Sequence, residues 1–539
     1  MNGHLILLLH AHLPYVRHPE YEYSLEENWL FEALRETYIP LLDVLEGMVN
    51  DGISPHLTLS ISPPLIEMLN DELLRKRFVR YMDNLIELSE AEKRRTKKSA
   101  FEPIAFLYNN EFKRIRRLYC ERYKQDIVSA FRRLQDEGHV EIVASAATHA
   151  FLPAFEHYPD AVKAQIEIGI KSYVHNFGRQ PSGFWLPECG YFKGLDSFLK
   201  DAGIRYFFVE SHGVIHGRPR PVYSIYKPVL SPAGLMVFSR DFKSAQQVWC
   251  ASKGYPGDFS YRDFYRDIGF DLPVSYIEQF THLGIRTFTG IKYHSITGNT
   301  EYKMPYNRVK AIERVSEHAK HFVESRESDI RRLSEFDFCP VIFSTFDAEL
   351  FGHWWFEGIE WLNIVLRSIS EGKRSFDIVT PERYFNECVN SETVQSIHIS
   401  SSSWGEGGYN SMWIGGRNHR LYRHLHKMAE RMALLKQRIT DSPIHRFTDS
   451  PIQRTVNQAM REMLLAHASD WPFLMQKGRA QEYAEHRVRG HIERFNMLFD
   501  MIENGNMEES ILKSMEESNR IFYYTLPSDN RLSYGYDFR

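Results

Sequence analysis

Short, continuously apolar segments recur along this 539-residue chain, and stretches of helical periodicity separate them. The segments are 4–9, 56–61, 140–145, 183–186, 206–210, 235–238 and 341–347, and a weaker segment, 289–293, ends at His294 in the same way. Unbroken apolar runs of this length are typical of parallel strands covered on both faces. Because nearly every run ends in a polar residue, the pattern predicts a parallel α/β barrel with functional side chains at the strand ends.

Two of these strand ends carry carboxylates among aromatic residues. In the stretch 183–191, Pro187 cannot donate to a sheet ladder, so Glu188 follows the point where strand pairing ends. The stretch 341–355 shows the same arrangement, because its apolar strand ends at the acidic residue Asp347 and aromatic residues follow. A lone glutamate in such a place usually hydrogen-bonds a neighbouring loop. Cleavage of a glycosidic bond, however, requires two carboxyl groups, one as nucleophile or base and one as acid, and two strand ends here supply them.

Histidines also follow the predicted strands. His10 and His12 come after the first strand, and residues two apart in an extended backbone point the same way. Two such imidazoles can bind a metal, hold sugar hydroxyls, or be one functional and one structural histidine. Together with His149, His212 and His294 they leave a metal-dependent hydrolase open as an alternative, although that alternative does not explain Glu188. A glucan-binding protein with an inactive barrel is a third possibility, against which both carboxylates argue.

The composition excludes several classes of partner. A net charge of −4 and 25% charged residues do not favour binding to nucleic acid or to an anionic membrane. The five cysteines are scattered without CxxC spacing, which indicates reduced thiols in a cytoplasmic protein. The first strand is too short for a signal peptide or a membrane span. Aromatic residues make up 14% of the chain, and they suit both carbohydrate sites and ordinary cores.

The strand pattern is interrupted twice. Residues 65–138 are charge-rich and helical, which predicts a helical insertion in a barrel formed by 1–64 and 139–400. No convincing strand follows, so 401–539 is predicted to form an α-helical C-terminal domain. Within it, the tandem duplication at 440–454 is turn-prone, which indicates a surface loop insertion without catalytic meaning.

These motifs together resemble glycoside hydrolase family 57, in the branch that contains 1,4-α-glucan branching enzymes and α-amylase-like proteins. The segments that carry the resemblance, in the family's order, are 10–15, the region around His149, 185–191, 346–355, 403–409 and 469–473. The resemblance implies a (β/α)7 barrel whose helical C-terminal domain contributes to a glucan groove. It also implies action on α-glucan with retention of anomeric configuration, and it implies no metal or other cofactor.

The resemblance also assigns roles. Glu188 corresponds to the nucleophile and Asp347 to the general acid/base, which must begin the reaction protonated and so needs desolvating neighbours. The residues that the resemblance implies bind the glucan are His10, His12, His149, Trp404, Asp470 and Trp471. Trp185 beside Glu188, Arg240 after a strand end and Trp249 as an aromatic acceptor site are further candidates from their own positions. For each tryptophan taken singly, a place in the core is the alternative.

Within that branch, the implied activity is 1,4-α-glucan branching in glycogen metabolism. A monomer is favoured over an oligomer, although the sequence does not fix the oligomeric state. The alternatives are an α-amylase-type hydrolase and a 4-α-glucanotransferase that use the same site. Branching enzymes of the family carry an extended loop after the fifth strand, and its tip tyrosine covers the site. The corresponding segment here, 213–232 with Tyr223 and Tyr226, is short, which leaves cleavage intact but bears on the efficiency of transfer.

Overall fold

A computed structural model describes residues 3–250, 254–372, 374–388, 394–441 and 451–523. The chain divides into two compact units. Unit 1 consists of Met1–Leu59, Met68–Ile142 and Asp241–Cys388, and unit 2 consists of Ser60–Glu67, Val143–Arg240 and Val389–Arg539. Most of the duplicated segment 440–454 lies outside the described residues. The domain boundaries predicted above stay a prediction.

The strands of the described chain are short, apart from the first. They are β1 (Gly3–Ala11), β2 (Leu57–Ile61), β3 (Val140–Ser145), β4 (Gly183–Trp185), β5 (Tyr206–Val209), β6 (Val229–Leu230), β7 (Met236–Ser239), β8 (Val341–Asp347) and β9 (Phe376–Ile378). Strand β1 is buried over its whole length, as expected of a parallel strand covered on both faces.

In unit 1, strand β1 lies between β8 and β9 and is parallel to both. Its register with β8 runs from His4 opposite Val341 to His10 opposite Asp347. Because parallel strands end at the same edge of a sheet, this register places His10 and Asp347 side by side at the C-terminal edge. The N-terminal edge begins at His4, which is also opposite Asp377 of β9.

In unit 2, the strands follow the order β6-β7-β5-β4-β3. Strands β3, β4, β5 and β7 are parallel to their neighbours, and only the two-residue β6 pairs in the antiparallel sense. Ser145 of β3 is opposite Trp185 of β4, so the aromatic residue that precedes Glu188 is the last one held by the sheet. The parallel pairing in both units confirms the predicted α/β class.

Helices connect the strands and make up the C-terminal region of unit 2. They are α1 (Glu27–Ala33), α2 (Ile39–Asn50), α3 (Pro63–Asn70), α4 (Glu72–Arg95), α5 (Glu102–Arg117), α6 (Ile127–Asp136), α7 (Pro159–Phe177), α8 (Leu195–Asp201), α9 (Ser211–Ile215), α10 (Phe242–Trp249), α11 (Ile268–Asp271), α12 (Val274–Thr281), α13 (Arg308–Ser334), α14 (Gly358–Ser370), α15 (Pro381–Glu387), α16 (Tyr422–Asp441), α17 (Pro451–Ala466), α18 (Asp470–Lys477), α19 (Gln481–Asn504) and α20 (Glu509–Ser518). Among the described helices, none is both long and apolar enough to span a membrane.

The predicted strand at 289–293 is wrong, because this segment is irregular. The first two backbone amides of the segment bond to a side chain rather than to a neighbouring strand. The carboxylate of Asp267 accepts from the amides of Thr289 and Gly290, at 3.0 and 2.9 Å, and from the ammonium of Lys292 at 3.0 Å. Conversely, strand β9 was not predicted, since three residues are too few to show a periodic pattern.

Candidate active site

Glu188 lies in a strained turn directly after β4. The chain leaves the strand at Trp185 and tightens into a single turn over Pro187–Cys189, within which Glu188 has φ 60° and ψ 20°. A non-glycine residue in the left-handed region is uncommon, and such strain persists where the surroundings fix the backbone. Here the amide of Trp404 donates to the carbonyl of Glu188 at 2.8 Å, so the segment around 404 holds the turn in place.

Two donors fix the carboxylate of Glu188. The indole Nε1 of Trp404 donates to Oε2 at 2.6 Å, and the hydroxyl of Ser469 donates to Oε1 at 2.9 Å. The Glu188 side chain is only 15% exposed. Hydrogen bonds donated to a carboxylate favour its ionised form. The arrangement therefore suits a carboxylate that stays charged and points in a fixed direction.

His149 extends this network by one further bond. Its Nδ1 lies 2.9 Å from Ser469 Oγ and 3.8 Å from Glu188 Oε1. Because the single hydroxyl proton of Ser469 is used on Glu188, Nδ1 must be the donor to Ser469 Oγ. His149 is buried and also has a positive φ of 55°. The sequence prediction placed His149 near the site, and the structure links it to Glu188 through Ser469.

Ser469 was not among the predicted site residues. Ser469 directly precedes α18, and a serine at this position usually caps the helix by accepting a hydrogen bond from a backbone amide. The side chain of Ser469 makes no such bond. The hydroxyl is aimed at Glu188 instead. The one available signal was its position beside Asp470 and Trp471 in the segment 469–473 that carries the family resemblance.

An aromatic and cationic group packs around Trp404. The ring of Trp185 meets it edge-on, with centroids 5.2 Å apart, and the guanidinium of Arg240 lies 5.3 Å from its centroid. Arg240 is itself held by Glu210, whose Oε2 accepts from Nη1 at 3.1 Å. The structure thus brings three predicted residues, Trp185, Arg240 and Trp404, together with Glu188.

Trp471 is fully buried, as Trp185 is, and its Nε1 donates to the carbonyl of Leu465 at 2.7 Å. This is the position of a core residue, which was the alternative for each tryptophan. Asp470, the first residue of α18, is half-buried beside it.

In unit 1, the ends of β1 and β8 carry the other predicted residues. The rings of His10 and His12 lie nearly parallel, with centroids 5.9 Å apart and an interplanar angle of 19°. The predicted shared direction of these two side chains is therefore present. Burial, followed by the nearby His12, lowers the pKa of His10 well below its usual value. His10 is consequently neutral and can both donate and accept hydrogen bonds.

Glu349, two residues beyond Asp347, is a buried carboxyl that was not predicted. It accepts from the backbone amide of His12 at 3.1 Å and from the hydroxyl of Tyr38. Burial raises its pKa to about 7, with the Tyr38 hydrogen bond opposing the shift and the charge of Asp347 adding to it. Glu349 thus connects the segment that carries His12 to the segment that carries Asp347.

The segment after Asp347 is also connected to a π-helical stretch, Leu34–Tyr38, which lies between α1 and α2. Nδ1 of His353 lies 2.6 Å from a carboxylate oxygen of Glu36. Gly352 has a φ of 99°, and a side chain there would meet the carbonyl of Glu36 at 1.8 Å. Although burial opposes ionisation, the charges of Arg35 and His353 hold the pKa of Glu36 well below its usual range.

Trp249 and Trp354 form an exposed aromatic pair in unit 1. Their ring centroids are 5.4 Å apart, and the two side chains are 44% and 42% exposed. Exposed aromatic side chains that pack against each other form a contiguous apolar surface, which a ligand can cover. The pair therefore matches the predicted role of Trp249 better than a place in the core does.

The metal-dependent alternative lacks a ligand set in the described part of the chain. No group of three or more His, Cys, Asp or Glu side chains there is arranged to hold a metal ion. The ring of His212, one of the candidate ligands, hydrogen-bonds the carbonyl of Gly408 at 2.7 Å instead.

Family models match most of the chain. The model described as glycosyl hydrolase family 57 matches residues 6–338, and the model described as 1,4-alpha-glucan branching enzyme, C-terminal, matches residues 424–525.

Among curated relatives, the 1,4-alpha-glucan branching enzyme TK1436 of Thermococcus kodakarensis is 34% identical, over 97% of this chain and 78% of the relative. The probable 1,4-alpha-glucan branching enzyme Rv3031 of Mycobacterium tuberculosis is 27% identical, over 91% of this chain and 90% of the relative.

Solved structures agree over nearly the full length. The alpha-amylase AmyC of Thermotoga maritima is 42% identical with a TM-score of 0.89, and the match covers 97% of this chain and 98% of AmyC. The GH57-type branching enzyme of Pyrococcus horikoshii is 34% identical with a TM-score of 0.85, and the match covers 99% and 97% of the two chains. These matches confirm the predicted barrel fold and enzyme class, and this chain belongs to glycosyl hydrolase family 57.

Proposed function

We propose that this chain is a retaining 1,4-α-glucan branching enzyme of glycogen metabolism. It cleaves an α-1,4 linkage through a covalent intermediate on Glu188 and transfers the released chain to a 6-hydroxyl, with Asp347 as general acid/base. The observation that carries the proposal is the fixed carboxylate of Glu188, which accepts from the indole of Trp404 and the hydroxyl of Ser469. The match of residues 424–525 to the branching enzyme C-terminal model supports branching in particular.

The nucleophile must be ionised when the glucan arrives. Two donors on the two carboxylate oxygens of Glu188 supply this condition, because both stabilise the charged form. The strained turn at Glu188 supplies the second condition, a fixed direction of attack towards C1 of the sugar. A glutamate that served only to hold a neighbouring loop would require neither condition.

The general acid/base must exchange a proton with the glycosidic oxygen and then with the acceptor hydroxyl. Asp347 stands at the end of β8 beside a second acid, Glu349, which keeps its proton up to about pH 7. In the first step Asp347 protonates the departing oxygen, and in the second it removes the proton of the attacking 6-hydroxyl. A retaining mechanism further requires about 5 Å between the Asp347 and Glu188 carboxyl groups.

The proposed glucan contacts are residues that lie beside one of these carboxyls or that present an exposed aromatic ring. Neutral His10 and neighbouring His12 offer hydrogen bonds to sugar hydroxyls, and His149 orients Ser469 beside Glu188. Aromatic stacking is assigned to Trp404 and to the exposed Trp249. Arg240 and Asp470 are the remaining proposed contacts, and the fully buried Trp185 and Trp471 are proposed to support the groove from behind.

Hydrolysis of the α-amylase type is the second candidate. It is favoured by the 42% identity to the alpha-amylase AmyC and by the attachment of the segment 213–232. In that segment the amide of Val222 donates to Gln395 Oε1, and Gln395 Nε2 donates to the carbonyl of Arg220, both at 2.8 Å. A segment tied down on its own unit is less able to cover a site and exclude water, which transfer requires.

Incubation with amylose tests the proposal. New α-1,6 linkages, counted by debranching, are compared with new reducing ends. We expect α-1,6 linkages to exceed reducing ends for the wild type, and neither product to form with Glu188→Gln. Reducing ends without α-1,6 linkages would establish the hydrolase instead. A Glu188→Gln variant with wild-type turnover would remove Glu188 as the nucleophile.

The partner we propose is therefore an α-glucan such as amylose or glycogen, and the place of action is the cytoplasm. The five cysteines support this location, since all are free thiols. We also propose a monomer, which light scattering of the purified chain would test.

A further inference from the structure

Trp354 is a half-exposed aromatic residue seven positions after Asp347. Its ring packs against the equally exposed ring of Trp249, with centroids 5.4 Å apart and an interplanar angle of 59°. The next residue, Trp355, behaves differently, since it is buried and its ring lies 5.6 Å from that of Trp361. Trp355 is therefore a core residue, whereas Trp354 and Trp249 together present one apolar surface to solvent.

Backbone and side-chain bonds hold Trp354 close to Asp347. After β8 the chain makes one short helical turn, and the amide of Trp354 then donates to the carbonyl of Glu349 at 3.2 Å. Because Glu349 is only two residues from Asp347, the backbone of Trp354 lies beside the segment that carries the proposed acid/base. The residue before Trp354, His353, is bonded through Nδ1 to Glu36 at 2.6 Å, which fixes the segment further.

Trp249 belongs to a different element that is attached to the same strand. It is the last residue of α10. The amide of Asp241, just before this helix, donates to the carbonyl of Phe343 in β8 at 2.7 Å. Within the helix, Ser244 accepts from the hydroxyl of Ser344, also at 2.7 Å. The two tryptophans of unit 1 are therefore carried by two elements that are both anchored to β8.

A retaining mechanism determines which ligand binds beside its acid/base residue. That residue first protonates the departing oxygen and later takes the proton of the incoming hydroxyl, so both oxygens must reach the same carboxyl group. The departing chain and the acceptor chain therefore occupy the same region in turn. An aromatic surface held beside Asp347 is placed to contact these two chains.

We propose that Trp354 and Trp249 form the binding surface for the acceptor glucan, and that Trp354 determines how often the intermediate reacts with a glucan rather than with water. This inference rests on the proposed function, because it takes Asp347 as the acid/base. The apolar faces of glucose rings stack on the two indoles, which positions the 6-hydroxyl at Asp347. The bond between C1 and Glu188 then breaks, C1 bonds the acceptor oxygen, and the hydroxyl proton passes to Asp347. A bound acceptor also displaces the water that would compete with it.

The test separates formation of the intermediate from its later partition between glucan and water. The donor is α-maltopentaosyl fluoride, whose leaving group is a fluoride ion and brings no glucan to the acceptor surface. The acceptor is maltoheptaose labelled at its reducing end, added at increasing concentration. Fluoride released in the first turnover measures formation of the intermediate, and enlarged labelled product measures transfer.

We expect Trp354→Ala to release fluoride in the first turnover at the wild-type rate. The acceptor concentration at which half of the intermediate is transferred should rise by about tenfold, the size of effect typical when one aromatic anchor of a binding surface is truncated. Trp354→Phe keeps an aromatic ring and should lose less. Trp249→Ala, on the other element, should repeat the shift.

Phe336→Ala is the matched control. Phe336 is also an exposed aromatic residue of unit 1, but it precedes β8 at the end opposite Asp347. The control should release fluoride and transfer to the acceptor as the wild type does.

Two results would overturn the inference. Trp354→Ala and Trp249→Ala could keep the wild-type dependence on acceptor concentration. They could also lose fluoride release and transfer by the same factor, which would give the pair a role in donor binding or in the fold instead.

A wild type that transfers to no acceptor would refute the proposed branching function, and it is distinguishable from these results. The acceptor surface is then decided by comparing amylose with the fluoride donor. Because the departing chain of amylose uses the same surface, Trp354→Ala should lower kcat/KM on amylose by about tenfold relative to kcat/KM on the fluoride. Equal values of this ratio in the variant and the wild type would overturn the inference.

Discussion

Replacing Ser469 by alanine tests the network around Glu188 directly. The substitution removes the donor to Glu188 Oε1 and leaves the Trp404 donor to Oε2 in place. It also removes the bond partner of His149 Nδ1, so His149 loses its link to Glu188. The volume lost is small, since Ser and Ala differ by one oxygen atom.

The expected effect follows from the charge of the acceptor. A hydrogen bond to a charged group contributes about 1.5 to 3 kcal/mol, and 1.36 kcal/mol corresponds to one pH unit of titration. Because the lost bond favoured the ionised carboxylate, Glu188 should hold its proton to higher pH. The acid limb of kcat/KM, which reports the free enzyme's essential carboxylate, should therefore move upward by about 1 to 2 pH units.

The assay is the pH dependence of kcat/KM on amylose for the wild type and Ser469→Ala. Ser411→Ala is the matched control, because this serine is exposed and donates only to a backbone carbonyl, that of Glu406. The control should keep the wild-type profile. If Ser469→Ala lowers the rate equally at every pH, the hydroxyl has a structural role and the reasoning is refuted.

The Asp347→Asn variant should lose the alkaline limb of the pH–rate profile and most of its turnover of natural glucan. It should still form the covalent intermediate from a substrate whose leaving group needs no proton. An equal loss of rate on both substrates would make Asp347 structural. Glu349→Gln should remove a pH dependence of stability. The raised pKa of about 7 means that Glu349 stabilises the fold fully below about pH 4.5 and loses that contribution, about 3 kcal/mol, as the pH rises through 7. Urea unfolding between pH 4.5 and 8 should show this decline in the wild type and not in the variant, and parallel curves would contradict it. His12→Ala should lower turnover by about one to three orders of magnitude with no change in metal content; stoichiometric zinc lost with His12 would instead revive the metal-dependent hydrolase.

Much of the fold could be predicted because strands and helices leave local patterns. The buried strand β1 appears in the sequence as an unbroken apolar run. The prediction that strand pairing ends before Pro187 is also correct, since β4 ends at Trp185. The wrong strand prediction at 289–293 also has a local cause, since the apolar residues of this segment match the pattern of a buried strand. The amides of Thr289 and Gly290, however, bond to Asp267, a side chain that no pattern within the segment reveals.

The site was predicted less completely, because its supporting bonds connect distant parts of the chain. Ser469 and Glu188 are 281 residues apart, and Glu349 and Tyr38 are 311 residues apart. A serine before a helix and an acid in a short turn are both common for local reasons. Only the contacts in the folded chain show that Ser469 bonds the proposed nucleophile Glu188 and that Glu349 bonds the backbone of His12.

The surroundings of Glu188 and Asp347 also bear on the division of roles proposed for them. Glu188 receives an indole N–H and a hydroxyl on its two oxygens, both of which stabilise negative charge. Beside Asp347, by contrast, the buried Glu349 carries a proton up to about pH 7, because burial and a neighbouring acid disfavour a second charge. The two surroundings therefore differ, since two donors stabilise the charge of Glu188 whereas a second acid lies two residues from Asp347. The opposite assignment would require Glu188 to be protonated against two donors, and this is the observation that supports Glu188 as the proposed nucleophile.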